Sequence, residues 1–104
     1  MSIVFKALAD PTRRRVLQLL RERPMTAGEL ADRFDVSKPT MSAHFAVLRE
    51  ADLIDASKKG TTITYRLKLS VLEDALLGFA ETFGLETKPA RRRAIARRVI
   101  EKEA

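Results

Sequence analysis

At 104 residues the chain has room for one domain with one core, and a composition of 45% hydrophobic and 33% charged residues fits a globular protein rather than a disordered one. With no cysteine it has no disulfide, thiolate metal site or thiol redox sensor. No apolar run nears the roughly 20 residues needed to span a bilayer, and the N-terminal apolar stretch before Lys6 is too short for a secretory signal, so a cytoplasmic protein without membrane insertion is expected. The net charge of +6 suggests a polyanionic partner, but residues 1–87 hold 13 basic and 12 acidic side chains while residues 88–104 hold 7 and 2. Any polyanion bound by the body must therefore meet a local patch.

Ile3, Val4, Ala7 and Leu8 read as a short amphipathic helix. Asp10-Pro11 then reads as an N-cap followed by proline at the first helical position, opening a helix with Val16, Leu17, Leu19 and Leu20 on its apolar face and Pro24 beyond its end. Thr26-Ala27-Gly28-Glu29 has the spacing of a capping box and predicts a short helix burying Leu30, Ala31 and Phe34. Ser37 caps a further helix from Lys38 to about Glu50, whose apolar stripe is Met41, Phe45 and Leu48. Two short helices in this relation outline a helix-turn-helix. From Thr62 to Lys68 the period changes to two, and Leu53 to Ser57 pairs with that segment across Lys58-Lys59-Gly60-Thr61. Ser70-Val71-Leu72-Glu73 repeats the capping-box spacing ahead of a helix carrying Leu72, Ala75, Leu76, Phe79 and Phe83, with Gly84 as its C-cap. Pro89 starts a basic helix with Ile95, Ala96, Val99 and Ile100 on one stripe. The expected fold is mainly α with a two-stranded β wing, order ααααββα, over residues 1–86, followed by a basic, helical extension at 87–104.

This layout suits duplex DNA. A helix of about 13 residues is roughly 20 Å long and fits the major groove. With Met41, Phe45 and Leu48 turned to the core, the other face offers Pro39, Ala43 and Ala46, flanked by Thr40, Ser42 and Val47, with Ser37 and Lys38 at the start and His44 beside the core stripe. Hydroxyls can donate or accept at base edges and alanine can touch a thymine methyl. The absence of arginine on that face predicts modest direct readout assisted by DNA shape. Lys58, Lys59, Thr61 and Thr62 at the wing tip suit the phosphate backbone. One module makes few contacts, so a homodimer on a palindrome is expected, joined through Ile3, Val4, Leu8, Leu72, Ala75, Leu76, Phe79 and Phe83.

Other readings stand beside these. Arg13-Arg14-Arg15 is either a solvated face or a phosphate grip. Lys58-Lys59 protects a strand edge if it does not touch DNA. His44, the single histidine, packs the helix or contacts DNA, and alone makes a poor metal ligand. The extension is a solvated helix, an arm for nonspecific DNA affinity or a docking element. No nucleophile set, phosphate-cradling loop or metal cluster is present, so no enzyme activity, metal or cofactor is expected. The competing class is a protein-interaction module, but aromatic anchors are missing from the Lys38–Val47 face.

Phe5-Lys6-Ala7-Leu8-Ala9-Asp10-Pro11-Thr12 with Arg13 to Arg15, Thr26 to Phe34, Ser37-Lys38-Pro39-Thr40-Met41-Ser42, His44-Phe45 with Leu48, Ala51-Asp52-Leu53-Ile54, Gly60 and Tyr65-Arg66-Leu67 together resemble the ArsR/SmtB family of winged-helix repressors. The resemblance covers residues 3 to about 84 and within the family is greatest to the non-metal, SdpR-like autorepressors. It implies a DNA-binding homodimer joined by its first and last helices, with the Ser37–Glu50 helix in the major groove. The family's metal-sensing cysteine pair falls near Thr26 and Gly28 here, and the last-helix metal site finds Glu73, Asp74 and Glu81 but no histidine, so metal sensing is not expected. Asp52 stands where the family usually has glycine, a change aspartate's tolerance of the left-handed conformation permits. The inducer, protein or small molecule, stays open, as do the operator sequence and activation in place of repression.

Overall fold

The structure, a computed structural model, describes residues 2–85; the expected basic extension at 87–104 lies outside the described residues. Chain contacts divide it into a first unit through Leu72 and a second that begins at Glu73.

Helix α1 (Ser2–Leu8) turns Val4 and Ala7 inward at helical spacing, and both are buried. Helix α2 (Pro11–Glu22) begins as the sequence predicts. Asp10 has extended backbone angles and its carboxylate accepts the Arg13 backbone N–H at 3.1 Å. Val16, Leu17, Leu19 and Leu20 are all buried. Burying each such side chain stabilises the fold by about 1.5–3 kcal/mol against leaving it exposed.

Strand β1 (Met25–Thr26) leads into helix α3 (Ala27–Ala31) through the expected capping box: Thr26 Oγ1 accepts from the Glu29 N–H, and Glu29 accepts from the Thr26 N–H, each at 3.1 Å. The bond from the Thr26 N–H, then the Arg23 guanidinium 3.0 Å from the carboxylate, hold the Glu29 carboxyl below its ordinary value. Leu30 is fully buried, whereas Ala31 and Phe34 are half-buried. Helix α4 (Lys38–Glu50) carries Met41, Phe45 and Leu48 into the core.

Strands β2 (Ile54–Lys59) and β3 (Thr62–Leu67) form the hairpin, with Lys59 opposite Thr62. The loop is therefore only Gly60-Thr61. Gly60 has φ +64° and Thr61 does not share the positive sign, the pattern of a type II′ turn with glycine first. Both lysines belong to β2 rather than to the turn. Strand β1 adds to the other edge of β3, pairing Met25 with Tyr65, so the sheet has three strands in the order β1-β3-β2. The sequence pattern predicts two strands only, because a strand of two residues is too short to show a period. Tyr65 stacks on Phe45 at a centroid distance of 4.6 Å, tying the sheet to α4, and burial pushes its phenol pKa up.

Helix α5 (Leu69–Thr82) starts one residue before Ser70, so Ser70 lies inside its first turn and does not cap it. The Lys68 N–H already serves the Leu53 carbonyl at 2.8 Å, closing the sheet, and the Lys68 carbonyl accepts the first helical bonds from Val71 and Leu72. Within the second unit the helix ends as expected at Gly84, φ +67°: the Gly84 N–H reaches the Glu81 carbonyl and the Leu85 N–H the Ala80 carbonyl, a Schellman motif.

Candidate nucleic-acid interface

The candidate interface is built on α4 and the wing. Ser37 opens α4 by accepting the Thr40 N–H at 3.3 Å and donating its own hydroxyl to Thr40 Oγ1 at 2.8 Å. Pro39 sits in the first turn, where its missing N–H costs nothing. Because Met41, Phe45 and Leu48 are at most 5% exposed, the helix cannot rotate without losing core. Its outward face is thereby set: Ser37, Lys38, Pro39, Thr40, Ser42, Ala43 and Ala46 are exposed, and Val47 is half-buried. Small side chains and hydroxyls on that face let the backbone approach base edges closely.

The far end of α4 is terminated by a second Schellman motif. Asp52 adopts φ +60°, its N–H reaches the Arg49 carbonyl at 2.9 Å, and the Leu53 N–H reaches the Leu48 carbonyl at 3.0 Å. Leu48 and Leu53, the pair that makes the hydrophobic contact of such a motif, are both fully buried. The Asp52 carboxylate accepts from Lys68 Nζ at 2.6 Å. This corner sends the chain directly from α4 into β2, so helix and wing share one rigid junction. At the wing tip Lys58, Lys59, Gly60, Thr61 and Thr62 are all exposed.

His44 is less available than the sequence suggests. Its side chain is 14% exposed, and its Nδ1 lies 3.3 Å from Arg13 Nη1 and 3.9 Å from Asp10 Oδ2. Helical spacing placed it on the flank of the core stripe, and the flank is covered by the α1–α2 corner. The arginine run also has a local explanation. Arg13 donates to the Lys6 and Ala7 carbonyls and Arg14 to those of Leu8 and Ala9, satisfying the end of α1. Arg15 bonds Gln18 on the helix surface. Sequence reasoning missed this capping role; the signal available was a helix end at Leu8 with neither glycine nor asparagine after it.

The residues expected at a dimer face fall into two sets. In the first unit Ile3 is exposed, Leu8 and Leu72 are half-buried, and Val4 is only 7% exposed. Val4 thus belongs to the core, because the spacing of Val4 and Ala7 turns both toward the chain's own helices. In the second unit Leu76, Phe79 and Phe83 are 47%, 43% and 65% exposed, and Ala75 is half-buried. Phe79 and Phe83 stack on each other at 4.9 Å. Among the described residues no group of three or more His, Asp or Glu side chains is placed to hold a metal ion, and no helix is long and apolar enough to cross a membrane.

A family model described as a helix-turn-helix domain matches residues 8–55, the span from the end of α1 to the start of the wing. The transcriptional repressor SdpR of Bacillus subtilis is 46% identical over 76 residues, covering 73% of this chain and 84% of that protein. A crystal structure described as an ArsR family transcriptional regulator superposes with a TM-score of 0.73 at 34% identity, covering 78% of this chain and 89% of that one. An ArsR-like transcriptional regulator from Rhodococcus sp. RHA1 gives the same TM-score of 0.73 at 27% identity, over 99% of this chain and 91% of the other. Helix-turn-helix, lysine-tipped wing and these likenesses agree: the chain belongs to the ArsR/SmtB family of winged helix-turn-helix, DNA-binding transcription regulators.

Proposed function

We propose that the chain is a cytoplasmic, homodimeric repressor that places α4 of each protomer in successive major grooves of a palindromic operator and blocks transcription by occupying it. The observation that carries this reading is the anchored α4: a buried stripe of Met41, Phe45 and Leu48 under an exposed face of Thr40, Ser42, Ala43 and Ala46. In the docking we propose, Ser37, Lys38, Pro39, Thr40, Ser42, Ala43 and Val47 approach the groove, while Lys58, Lys59, Thr61 and Thr62 grip the backbone. Lysine there adds counterion release rather than discrimination. Similarity to a relative named as a transcriptional repressor supports repression over activation, and autoregulation makes the chain's own promoter the first operator to try. No metal or cofactor enters this mechanism.

Dimerisation is supported by α5, in which no residue is buried although Leu76 and Phe79 are apolar, and by the exposed Phe83 just beyond its end. A helix with such a face needs cover, and two-fold symmetry on a palindrome supplies a second copy. Residues 1–86 hold both the DNA-binding and the dimerising elements, and the basic extension at 87–104 follows them. The test is sedimentation equilibrium on the free protein together with a stoichiometric titration of a labelled promoter duplex. Two protomers per free particle and two per duplex are expected, with Phe79→Glu reducing both to one. A wild-type monomer at micromolar concentration that binds singly would overturn the dimer.

A further inference from the structure

One guanidinium joins two helices that are distant in sequence. Arg13 Nε donates to the Ala7 carbonyl at 2.7 Å and Nη2 to the Lys6 carbonyl at 3.1 Å, while Nη1 lies 3.3 Å from His44 Nδ1, 31 residues along the chain. Arginine has donors only, so the last contact is a hydrogen bond when Nδ1 carries no proton. It selects the neutral His44 tautomer with its hydrogen on Nε2. The fork of a guanidinium is planar and rigid, so bonds made by its different nitrogens hold their partners in fixed relation.

We propose that Arg13 is a positioning residue for DNA recognition: its guanidinium couples the C-terminal end of α1 to His44 in the middle of α4 and so fixes the angle at which α4 is presented. The inference rests on the assignment of α4 to the major groove. A recognition helix is useful only while its outward face and the wing meet the duplex together, and a small rotation of α4 misaligns one of them. Arg13 touches no base; it acts through His44.

The coupling depends on the charge of His44. Facing its ring are Arg13 from α2 and Asp10 from the α1–α2 corner. Helix α1 contributes the Lys6 carbonyl already held by Arg13, with the Lys6 side chain exposed. The charged residues of β2 (Asp55, Lys58, Lys59) and of α4 itself (Lys38, Arg49, Glu50) are exposed. Protonation of Nδ1 removes the acceptor and sets two cations against each other. The Asp10 carboxylate, 3.9 Å from Nδ1, then becomes the better partner.

The experiment is a double-mutant cycle on operator affinity, read by fluorescence anisotropy of a labelled duplex of about 30 base pairs from the chain's own promoter, long enough for two half-sites. A scrambled duplex is the control, and both are measured at pH 8.0. At pH 8.0, Arg13→Gln and His44→Leu are each expected to weaken promoter-selective binding about three- to thirtyfold, and the double variant no more than the weaker single. His44→Asn, whose side-chain carbonyl sits near the Nδ1 position, is expected to keep wild-type affinity. Additive losses, or a loss of affinity in His44→Asn as large as in His44→Leu, overturn the proposal. If Arg13→Gln does not fold by circular dichroism, Arg13→Lys, which keeps the charge without the fork, takes its place in the cycle. Selective binding by the wild type with no coupling refutes only the role of Arg13, whereas no selective binding by the wild type refutes the groove assignment and this inference with it.

Discussion

Substituting Asp52 tests how the recognition helix is joined to the wing. Asp52 is the non-glycine residue with positive φ, +60°, among those described. An ordinary L-residue loses roughly 1–2 kcal/mol in this conformation, and aspartate loses less because its short carboxylate bonds locally. Its ion pair with Lys68 is 2.6 Å long but 64% exposed on the aspartate side, which limits its worth to about 1 kcal/mol at most. In Asp52→Gly the relieved strain is offset by about 0.5–1 kcal/mol of added unfolded-state entropy and by removal of the ion pair, leaving a net cost of about 0–1 kcal/mol. Asp52→Val meets the full left-handed penalty with a β-branched side chain and also forfeits Lys68, so it should cost at least about 2 kcal/mol. For a domain of this size that is a fall in Tm of roughly 10 °C. Urea denaturation followed by circular dichroism, with m unchanged, measures both variants. If the valine variant is as stable as the glycine variant, the corner does not require a left-handed residue and the reasoning fails.

Removing the wing charges with Lys58→Ala and Lys59→Ala should weaken binding to promoter and scrambled duplexes alike, and for every lysine–phosphate pairing removed the slope of log K against log salt should flatten by about 0.9. Thr40→Val and Ser42→Ala should instead change the ratio of the two affinities; identical behaviour of the two sets in anisotropy would contradict the docking. Asp10→Ala should cost about 1 kcal/mol through loss of the α2 cap. Burial, the largest influence on the Asp10 carboxyl, raises its pKa, but the Arg13 N–H, then a cationic His44, the Thr12 N–H and the Arg13 charge together bring it below the ordinary value. A lowered folded pKa stabilises above the unfolded value near 4 and loses that contribution as the pH falls through the folded value. The difference between wild type and Asp10→Ala in thermal melts should therefore be full at pH 7 and shrink below about pH 4.

The parts of the fold that were legible in the sequence are those whose cause is local. Asp10-Pro11, Thr26 with Glu29, and Ser37 satisfy N–H groups within three residues of themselves, so their spacing alone announces three helix starts. Met41, Phe45 and Leu48 mark the buried side of α4 by periodicity, and by elimination its outward face. The features that escaped depend on distant partners. Strand β1 exists because Met25 pairs with Tyr65, forty positions on, and two residues cannot display a period. The Ser70 box is displaced from the start of α5 because Lys68 is committed to Leu53 by the closing of the sheet. Arg13 and Arg14 read as surface charge because nothing in a sequence marks which carbonyls an arginine will reach. Val4 looked available for a partner because α1 carries apolar residues on more than one side, and only packing reveals which side the chain itself uses.

The central claim is that the anchored α4 and its wing read a particular duplex. Fluorescence anisotropy of the full chain, with its own promoter region against a scrambled duplex at two salt concentrations, tests it directly. The account predicts promoter-selective binding that survives near-physiological salt, with selectivity changed by Thr40→Val or Ser42→Ala. Weak binding to both duplexes that vanishes as salt rises would contradict it, because affinity would then come from net positive charge and not from the face that α4 presents.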